Sequence, residues 1–498
     1  MRLNEESLET LIVRQMVEGG WEQGSAGEYD PAYAVDLNQL TEFIETTQPD
    51  LAEALSLREP TSTRHEFLSR LQGEITRNGV VHVLRKGVDH RQHHVDLFFP
   101  TPSPGNARAT ELFSANRFTV TRQVHYSVTA TGLSLDLVAF VNGLPVLTFE
   151  LKNNITKRTF DDAVVQYKRD RDPRDLLFQF GRCIAHFALD DQQVRFCTHL
   201  KGKQSWFLPF DKGWNNGAGN PPNPNGLKTD YLWRETLAPA SLANIIENYA
   251  QIVITKNPRT GKKSSSQIFP RYHQLDVVRE LLADVEAQGP GHRYLIQHSA
   301  GSGKSNSIAW LAHQLTEAKH DGGNAFDSVI VVTDRVILDS QLKETIKSFM
   351  QVGSTVVHAD RSGDLRAAIE AGRKIIITTV QKFPYILDDI GRDHRDRTFA
   401  IIIDEAHSSQ GGKAAAAVSM ALAAGGAAED DETVEDTINR IIESKKMLPN
   451  ASYFAFTATP KNKTLQMFGE PFPHDGGTGY RPFHSYTMKQ ATQERFII

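Results

Sequence analysis

The stretch Gln297-His298-Ser299-Ala300-Gly301-Ser302-Gly303-Lys304-Ser305 has the residue types of a phosphate cradle. Gly301 and Gly303 let the backbone turn with its N–H groups facing inward, and the helix expected after it brings its positive dipole end to the same point. Lys304 has the reach for the β- and γ-phosphates and the Ser305 hydroxyl suits Mg²⁺, so ATP and Mg²⁺ are the expected cofactors. Ser302 completes the loop. The commoner form of this pattern has Gly where this chain has His298. Further on, Asp404 and Glu405 are adjacent carboxylates, the first suited to the metal and the second to activating a water.

A second group of chemical residues lies nearer the N-terminus: Asp136, Glu150 and Lys152. Two carboxylates and a lysine on one face can bind a divalent metal and position a water for attack on a phosphodiester. Glu6 and Glu9, on the first expected helix, read as solvated surface or as further carboxylates beside such a metal.

These residues need elements to hold them. Leu133 to Val141 reads as a strand, Asn142-Gly143 as a hairpin turn, and Pro145 to Lys152 as the returning strand, which brings Asp136 opposite Glu150. Apolar spacing predicts helices over Asn4–Glu18, Asp36–Leu55 and Leu237–Ile254, and strand over Val80–Phe99. The histidines at 82, 90, 93 and 94 in that last stretch read better as faces of paired strands than as a metal site. The runs Ile184–Leu189 and Val194–Thr198 extend the same sheet, with His186 and His199 read as structural. The basic, Ser-rich run at 256–267 reads as a linker with possible contact to a DNA backbone, and Trp206 and Trp214 read as packing first and DNA contacts second. Beyond it, strand-like runs at Tyr294–Ile296, Ser328–Thr333, Lys374–Ile377, Phe399–Ile403 and Tyr453–Phe456 alternate with helix-like segments, the pattern of a parallel α/β sheet.

At 498 residues the chain is long enough for two or three cores. A net charge of −5 and 23% charged residues exclude a wholly basic nucleic-acid binder but leave room for local basic grooves. Two cysteines give no disulfide framework, and the absence of a signal-like or membrane-spanning apolar run predicts a cytoplasmic protein without a membrane partner.

The Asp136…Glu150-Leu151-Lys152 hairpin resembles the PD-(D/E)xK nucleases. With Asn142-Gly143-Leu144-Pro145, Ala163-Val164-Val165-Gln166-Tyr167, Arg169-Asp170-Arg171 and Phe207-Leu208-Pro209-Phe210-Asp211-Lys212-Gly213, it is similar more narrowly to the restriction (R) subunit of type I restriction-modification enzymes. The second half resembles superfamily 2 helicases and translocases through Gln274, the phosphate loop, Asp404-Glu405-Ala406-His407 and Thr457-Ala458-Thr459. The resemblance implies an α/β chain with a PD-(D/E)xK endonuclease domain over 1–255, a linker over 256–267, a RecA-like P-loop lobe over 268–480, and over 481–498 the start of a connection to a second lobe absent here.

It implies that Asp136 and Glu150 hold Mg²⁺, that Lys152 and Gln166 assist catalysis, and that Glu405 is the ATPase base. In this resemblance Gln274, with Arg271 beside it, reads adenine, and Thr457, Ala458 and Thr459 couple nucleotide state to DNA. Asp334, Arg335, Gln341, Thr378, Thr379, Gln381 and Lys382 fall at strand ends that touch the DNA backbone in that family. The family's Gln and Tyr stand four apart, whereas Gln166 and Tyr167 are adjacent, which favours Gln166 at the site. The implied activity is ATP-driven translocation on double-stranded DNA, with cleavage of unmodified duplex away from the recognition site, in a complex with methyltransferase (M) and specificity (S) subunits. Two other readings stay open: a single-chain restriction or repair helicase-nuclease, and a nuclease-dead remodelling module.

Overall fold

The computed structural model describes residues 5–103, 105–153, 157–256, 260–333, 345–346, 356–359, 362–404, 447–474 and 477–497. They fall into two units, one formed by residues 1–214 and 219–271 and the other by 215–218 and 272–498.

In the first unit, helix α1 (Glu5–Glu18) buries Leu8, Ile12, Val13 and Met16 on one stripe and stops at Gly19-Gly20. The single helix expected over Asp36–Leu55 is two, α2 (Leu37–Thr47) and α3 (Pro49–Leu55). Asp36 caps the first by accepting the Gln39 N–H at 3.0 Å, and Pro49 opens the second because it has no N–H to give a continuing helix. The expected strand over Val80–Phe99 is also corrected. Val80, Val81, Val83 and Leu84 are buried on helix α4 (Val80–Lys86), where tertiary burial overrides the strand preference of valine; only Val88–His90 and His93–Val95 pair as a short antiparallel ribbon.

A seven-stranded mixed sheet carries the unit: β1 (Glu22–Gln23), β2 (Phe118–His125), β3 (Ser134–Val141), β4 (Leu144–Leu151), β5 (Ala185–Leu189), β6 (Val194–Cys197) and β7 (Leu208–Pro209), in that spatial order. The central hairpin β3–β4 is antiparallel, and β4 pairs in parallel with β5. Its turn is the expected Asn142-Gly143, both at positive φ (52° and 81°) as a type I′ turn requires. Asn142 also donates to the Leu97 carbonyl at 2.9 Å and accepts from the Arg117 N–H at 2.6 Å, so the turn is tied into its surroundings. Helix α5 (Phe160–Arg169) begins at a Thr159/Asp162 capping box and buries Ala163 and Tyr167 against the sheet.

The helix expected over Leu237–Ile254 covers only Pro239–Asn248 (α6). Half of the segment read as a linker, Lys256 and residues 263–267, belongs to an antiparallel ribbon of β8 (Gln251–Lys256) with β9 (Lys263–Ile268). Alternating Ile252, Val253, Ile254 and Thr255 supply the strand pattern, Thr255 and Ser264 bond across it at 2.8 Å, and Gln267 anchors its base on the Cys183 and Ile184 carbonyls.

The second unit begins with helix α7 (Tyr272–Gln288). Its sheet is wholly parallel: β10 (Arg293–His298), β11 (Ser328–Thr333), β12 (Val356–His358), β13 (Ile375–Thr379), β14 (Phe399–Ile403), β15 (Ala451–Thr457) and β16 (His484–Tyr486), in the spatial order β12-β13-β11-β14-β15-β10-β16. The strands are near-continuous apolar runs because both faces are covered, with Ile330, Val332, Ile376, Ile401 and Ile403 fully buried in one core cluster. Helix α8 (Lys304–Leu315) follows β10 directly. Residues 484–486, within the stretch expected to begin the connection, form the edge strand beside β10, followed by helix α9 (Met488–Gln493).

Candidate functional site

The two chemical centres lie in different units and are taken one at a time. In the first unit, β3 and β4 pair Leu137 with Phe149, so the register carries Asp136 across from Glu150 at the open end of the hairpin. One Asp136 oxygen accepts the Leu151 N–H at 2.7 Å. Glu150 is fully buried, and Lys152, 6% exposed, continues the parallel pairing by donating its N–H to the Leu189 carbonyl at 2.9 Å. Its ammonium donates to the Leu151 carbonyl at 2.8 Å. The three residues expected from the sequence are thus gathered at one strand end.

Arg171, two residues past α5, carries no chemical role in the sequence pattern and is central here. Its Nε and Nη2 both reach Glu150 Oε1, at 2.7 and 2.6 Å, while Nη1 donates to the Tyr126 hydroxyl at 3.1 Å and Nη2 to the Ser134 carbonyl at 2.8 Å. The other oxygen, Glu150 Oε2, is buried and has no hydrogen-bond partner among the described residues. Burial, with the Asp136 carboxylate next in size, pushes Glu150 up to about 8 despite the opposing Arg171 and Lys152 charges. A buried carboxylate oxygen without a partner, beside a second carboxylate, is the donor set a divalent cation would satisfy.

Behind this centre Tyr167 is fully buried and its hydroxyl joins Thr148, which joins His186, at 2.8 and 2.7 Å. Burial pulls His186 down to about 3, so it is a neutral structural group. Gln166, the neighbour of Tyr167, is half-buried on α5. Glu9 is not solvated: it is buried and accepts from Arg122 and Gln123. The histidines near residue 90 behave as expected of a ribbon; His94 bonds Asp89 at 2.7 Å across the pair.

In the second unit the phosphate loop leaves the C-terminal end of β10. Gly301 and Gly303 take φ of 74° and 83°, and a Cβ on Gly303 would meet the Gln274 amide at 2.3 Å. The Ser299 and Ser302 hydroxyls are buried without a hydrogen-bond partner, and Lys304 lies beside them with Nζ 3.4 Å from the His298 carbonyl. Positive-φ glycines, inward hydroxyls and a lysine fit a polyphosphate. Ser305 is exposed at the start of α8. Gln274, expected to read adenine, donates to the Ser302 and Gly303 carbonyls at 3.3 and 3.0 Å, so its amide nitrogen braces the loop. Arg271 is buried at the end of the first unit.

Strand order places the remaining motifs. β15 lies between β10 and β14, so Thr457, Ala458 and Thr459 leave the sheet between the phosphate loop and Asp404, which follows β14. Thr457 is fully buried and Thr459 exposed. Of the residues expected at DNA, Thr378 and Thr379 are buried at the end of β13, and Lys382 donates to the Ala359 carbonyl at 2.9 Å. Asp334, Arg335, Gln341, Glu405 and the Ala/Gly-rich stretch 413–428 lie outside the described residues, as does the Gln381 side chain.

The odd residue of the loop, His298, also has a place. It is fully buried and its Nε2 meets His484 Nδ1 of β16 at 2.9 Å, while His484 Nε2 faces Asp276 at 3.4 Å. His273 stacks on Tyr486 with ring centroids 3.7 Å apart and bonds the Ser302 carbonyl at 3.1 Å. Sequence spacing alone gives no sign of this long-range contact.

Comparison with known proteins finds two family models in succession. Residues 2–205 match the type I restriction enzyme R protein N terminus, and residues 273–498 match the SWI2/SNF2 ATPase. The HindI type I restriction enzyme endonuclease subunit of Haemophilus influenzae is 25% identical over 482 residues, covering 92% of this chain and 43% of that protein. The SauCOLORF180P endonuclease subunit of Staphylococcus aureus is 25% identical over 403 residues, covering 78% and 36%. A solved fragment described as an HsdR subunit of a type I restriction enzyme from Vibrio vulnificus shares 15% identity, covering 73% of this chain and 51% of that one, with a TM-score of 0.28. The chain spans less than half the length of the curated relatives it matches. Among the described residues no helix is long and apolar enough to cross a membrane.

Proposed function

We propose that this chain, which matches the type I restriction enzyme R protein N terminus over residues 2–205 and the SWI2/SNF2 ATPase over 273–498, carries the endonuclease centre and the first motor lobe of a type I restriction enzyme R subunit. The whole protein would move along double-stranded DNA by hydrolysing ATP and cut unmodified duplex away from its recognition site, together with M and S subunits, in the cytoplasm. The observation that carries the reading is the convergence of Asp136, Glu150 and Lys152 beside a buried carboxylate oxygen that has no hydrogen-bond partner among the described residues.

In this reading Asp136 and Glu150 hold Mg²⁺, which when bound would activate water and neutralise charge on the scissile phosphate. Lys152 stands by to stabilise that water or the charge developing on the phosphate, and Gln166 assists from α5. In the motor lobe, the loop amides, Lys304 and Ser305 take the ATP phosphates and their Mg²⁺, Asp404 completes the metal site, and Glu405 orients the attacking water. Thr457, Ala458 and Thr459, which leave the sheet between these two strand ends, would pass nucleotide state on to the DNA grip. Gln274 steadies the loop.

The test follows ATP hydrolysis by the full-length subunit with its candidate M and S partners on methylated and unmethylated target duplex. Hydrolysis only with partners and only on unmethylated DNA is the expected result. Equal hydrolysis by the subunit alone on any duplex would overturn the partner assignment and leave a self-sufficient motor.

A further inference from the structure

Glu150 makes an uneven ion pair. An Arg facing a carboxylate commonly forms two parallel bonds, one to each oxygen. Here Nε and Nη2 of Arg171 both fall on Oε1, at 2.7 and 2.6 Å, and Oε2 is left buried without a partner. The guanidinium is fixed in this pose from several sides. It is 4% exposed and held on its other edges by the Tyr126 hydroxyl and the Ser134 carbonyl, with the Tyr126 ring centroid 5.3 Å from its central carbon. Ser134 opens β3, the strand that carries Asp136, and Tyr126 directly follows β2, which pairs with it.

We propose that Arg171 is a positioning residue for the nuclease centre: it takes up Oε1 of Glu150 and so commits Oε2 to a divalent cation shared with Asp136. The proposal rests on reading Asp136 and Glu150 as cation ligands. Lysine could not replace it, because one ammonium cannot hold a carboxylate, a hydroxyl and a carbonyl in a fixed plane. The arrangement follows the general logic of metal sites, in which groups behind the ligands orient them and losing one weakens metal binding.

The probe is Mn²⁺ bound to the 498-residue chain without nucleotide, measured by electron paramagnetic resonance for the wild type and for Asp136→Ala, Arg171→Ala, Arg171→Lys and Tyr126→Phe. Asp136→Ala identifies the signal of this centre. Arg171→Ala is expected to weaken that binding about ten- to a hundredfold, Arg171→Lys to stay impaired, and guanidinium ion well below denaturing concentration to restore part of the loss in Arg171→Ala only. Tyr126→Phe keeps the charge but removes one anchor, so it should show a smaller loss and remains informative if Arg171→Ala does not fold. Wild-type Mn²⁺ affinity in folded Arg171→Ala, or in Tyr126→Phe where Arg171→Ala fails to fold, overturns the role of Arg171 while leaving the centre intact. Unchanged binding in Asp136→Ala would overturn the reading of the centre itself, and the inference with it.

Discussion

Glu150 concentrates the conflict between stability and chemistry in one side chain. Its carboxyl is pushed up to about 8 by burial and by Asp136, against an ordinary value near 4.5, so the folded, cation-free chain binds a proton there that the unfolded chain has already lost across most of that interval. More protons on the folded state means that stability falls as pH rises from about 5 to 8. Each tenfold difference in proton affinity between the two states is worth about 1.4 kcal/mol. In chelator, thermal melting of the wild type should therefore drop between pH 5 and pH 8 by more than that of Glu150→Gln, which cannot ionise. Parallel curves for the two proteins would show that Arg171 already compensates the buried charge. These carboxylates and Lys152 are legible in the sequence because a hairpin turn and strand alternation fix who faces whom over a short distance. Arg171 is not, since the contact that gives it a role joins residues 21 apart through a helix whose exit angle no local pattern states.

At the scale of elements, the hairpin β3–β4 is the piece most fully written in local chemistry. A Cβ on Gly143 would lie 2.4 Å from the Asp36 carbonyl oxygen and 2.5 Å from the Leu40 nitrogen, at a φ of 81° that L-residues resist. Gly143→Ala should then cost about 2–4 kcal/mol in chemical denaturation, combining left-handed strain with overpacking against backbone. A change under about 0.5 kcal/mol would mean that the turn can move as a body. Elements whose identity depends on distant partners are hidden from local pattern. The ribbon of β8 and β9 carries the basic, hydroxyl-rich composition of a linker, but cross-strand pairing and the Gln267 anchor give it form. β16 has the look of an exit because three residues of edge strand declare themselves only against β10. Its tie to the phosphate loop makes a prediction. His484→Ala removes the imidazole that meets His298, and should weaken binding of a fluorescent ATP analogue severalfold and lower stability by about 1–2 kcal/mol. Unaltered nucleotide affinity would reduce β16 to a passive edge.

On the scale of the whole molecule, the two centres sit in separate units, each with its own sheet and its own core. The polar groups that complete the cluster of Asp136, Glu150 and Lys152 come from the first unit, and those that hold the phosphate loop come from the second. Damage to one centre should therefore leave the other folded. In the full-length subunit assembled with its proposed partners, Lys304→Ala removes the cation that would face the β- and γ-phosphates and should lower ATP hydrolysis by at least about a hundredfold, a loss of roughly 3 kcal/mol of transition-state stabilisation. Cleavage that depends on translocation should be lost with it. Asp136→Ala removes one proposed ligand of the nuclease cation and should abolish cleavage while leaving DNA-stimulated ATP hydrolysis within about twofold of wild type, because it lies in a different core. The informative measurement is both rates on the same preparation of each variant. Loss of ATP hydrolysis in folded Asp136→Ala would show that the nuclease centre gates the motor, and two separate cores would then have to act as one machine.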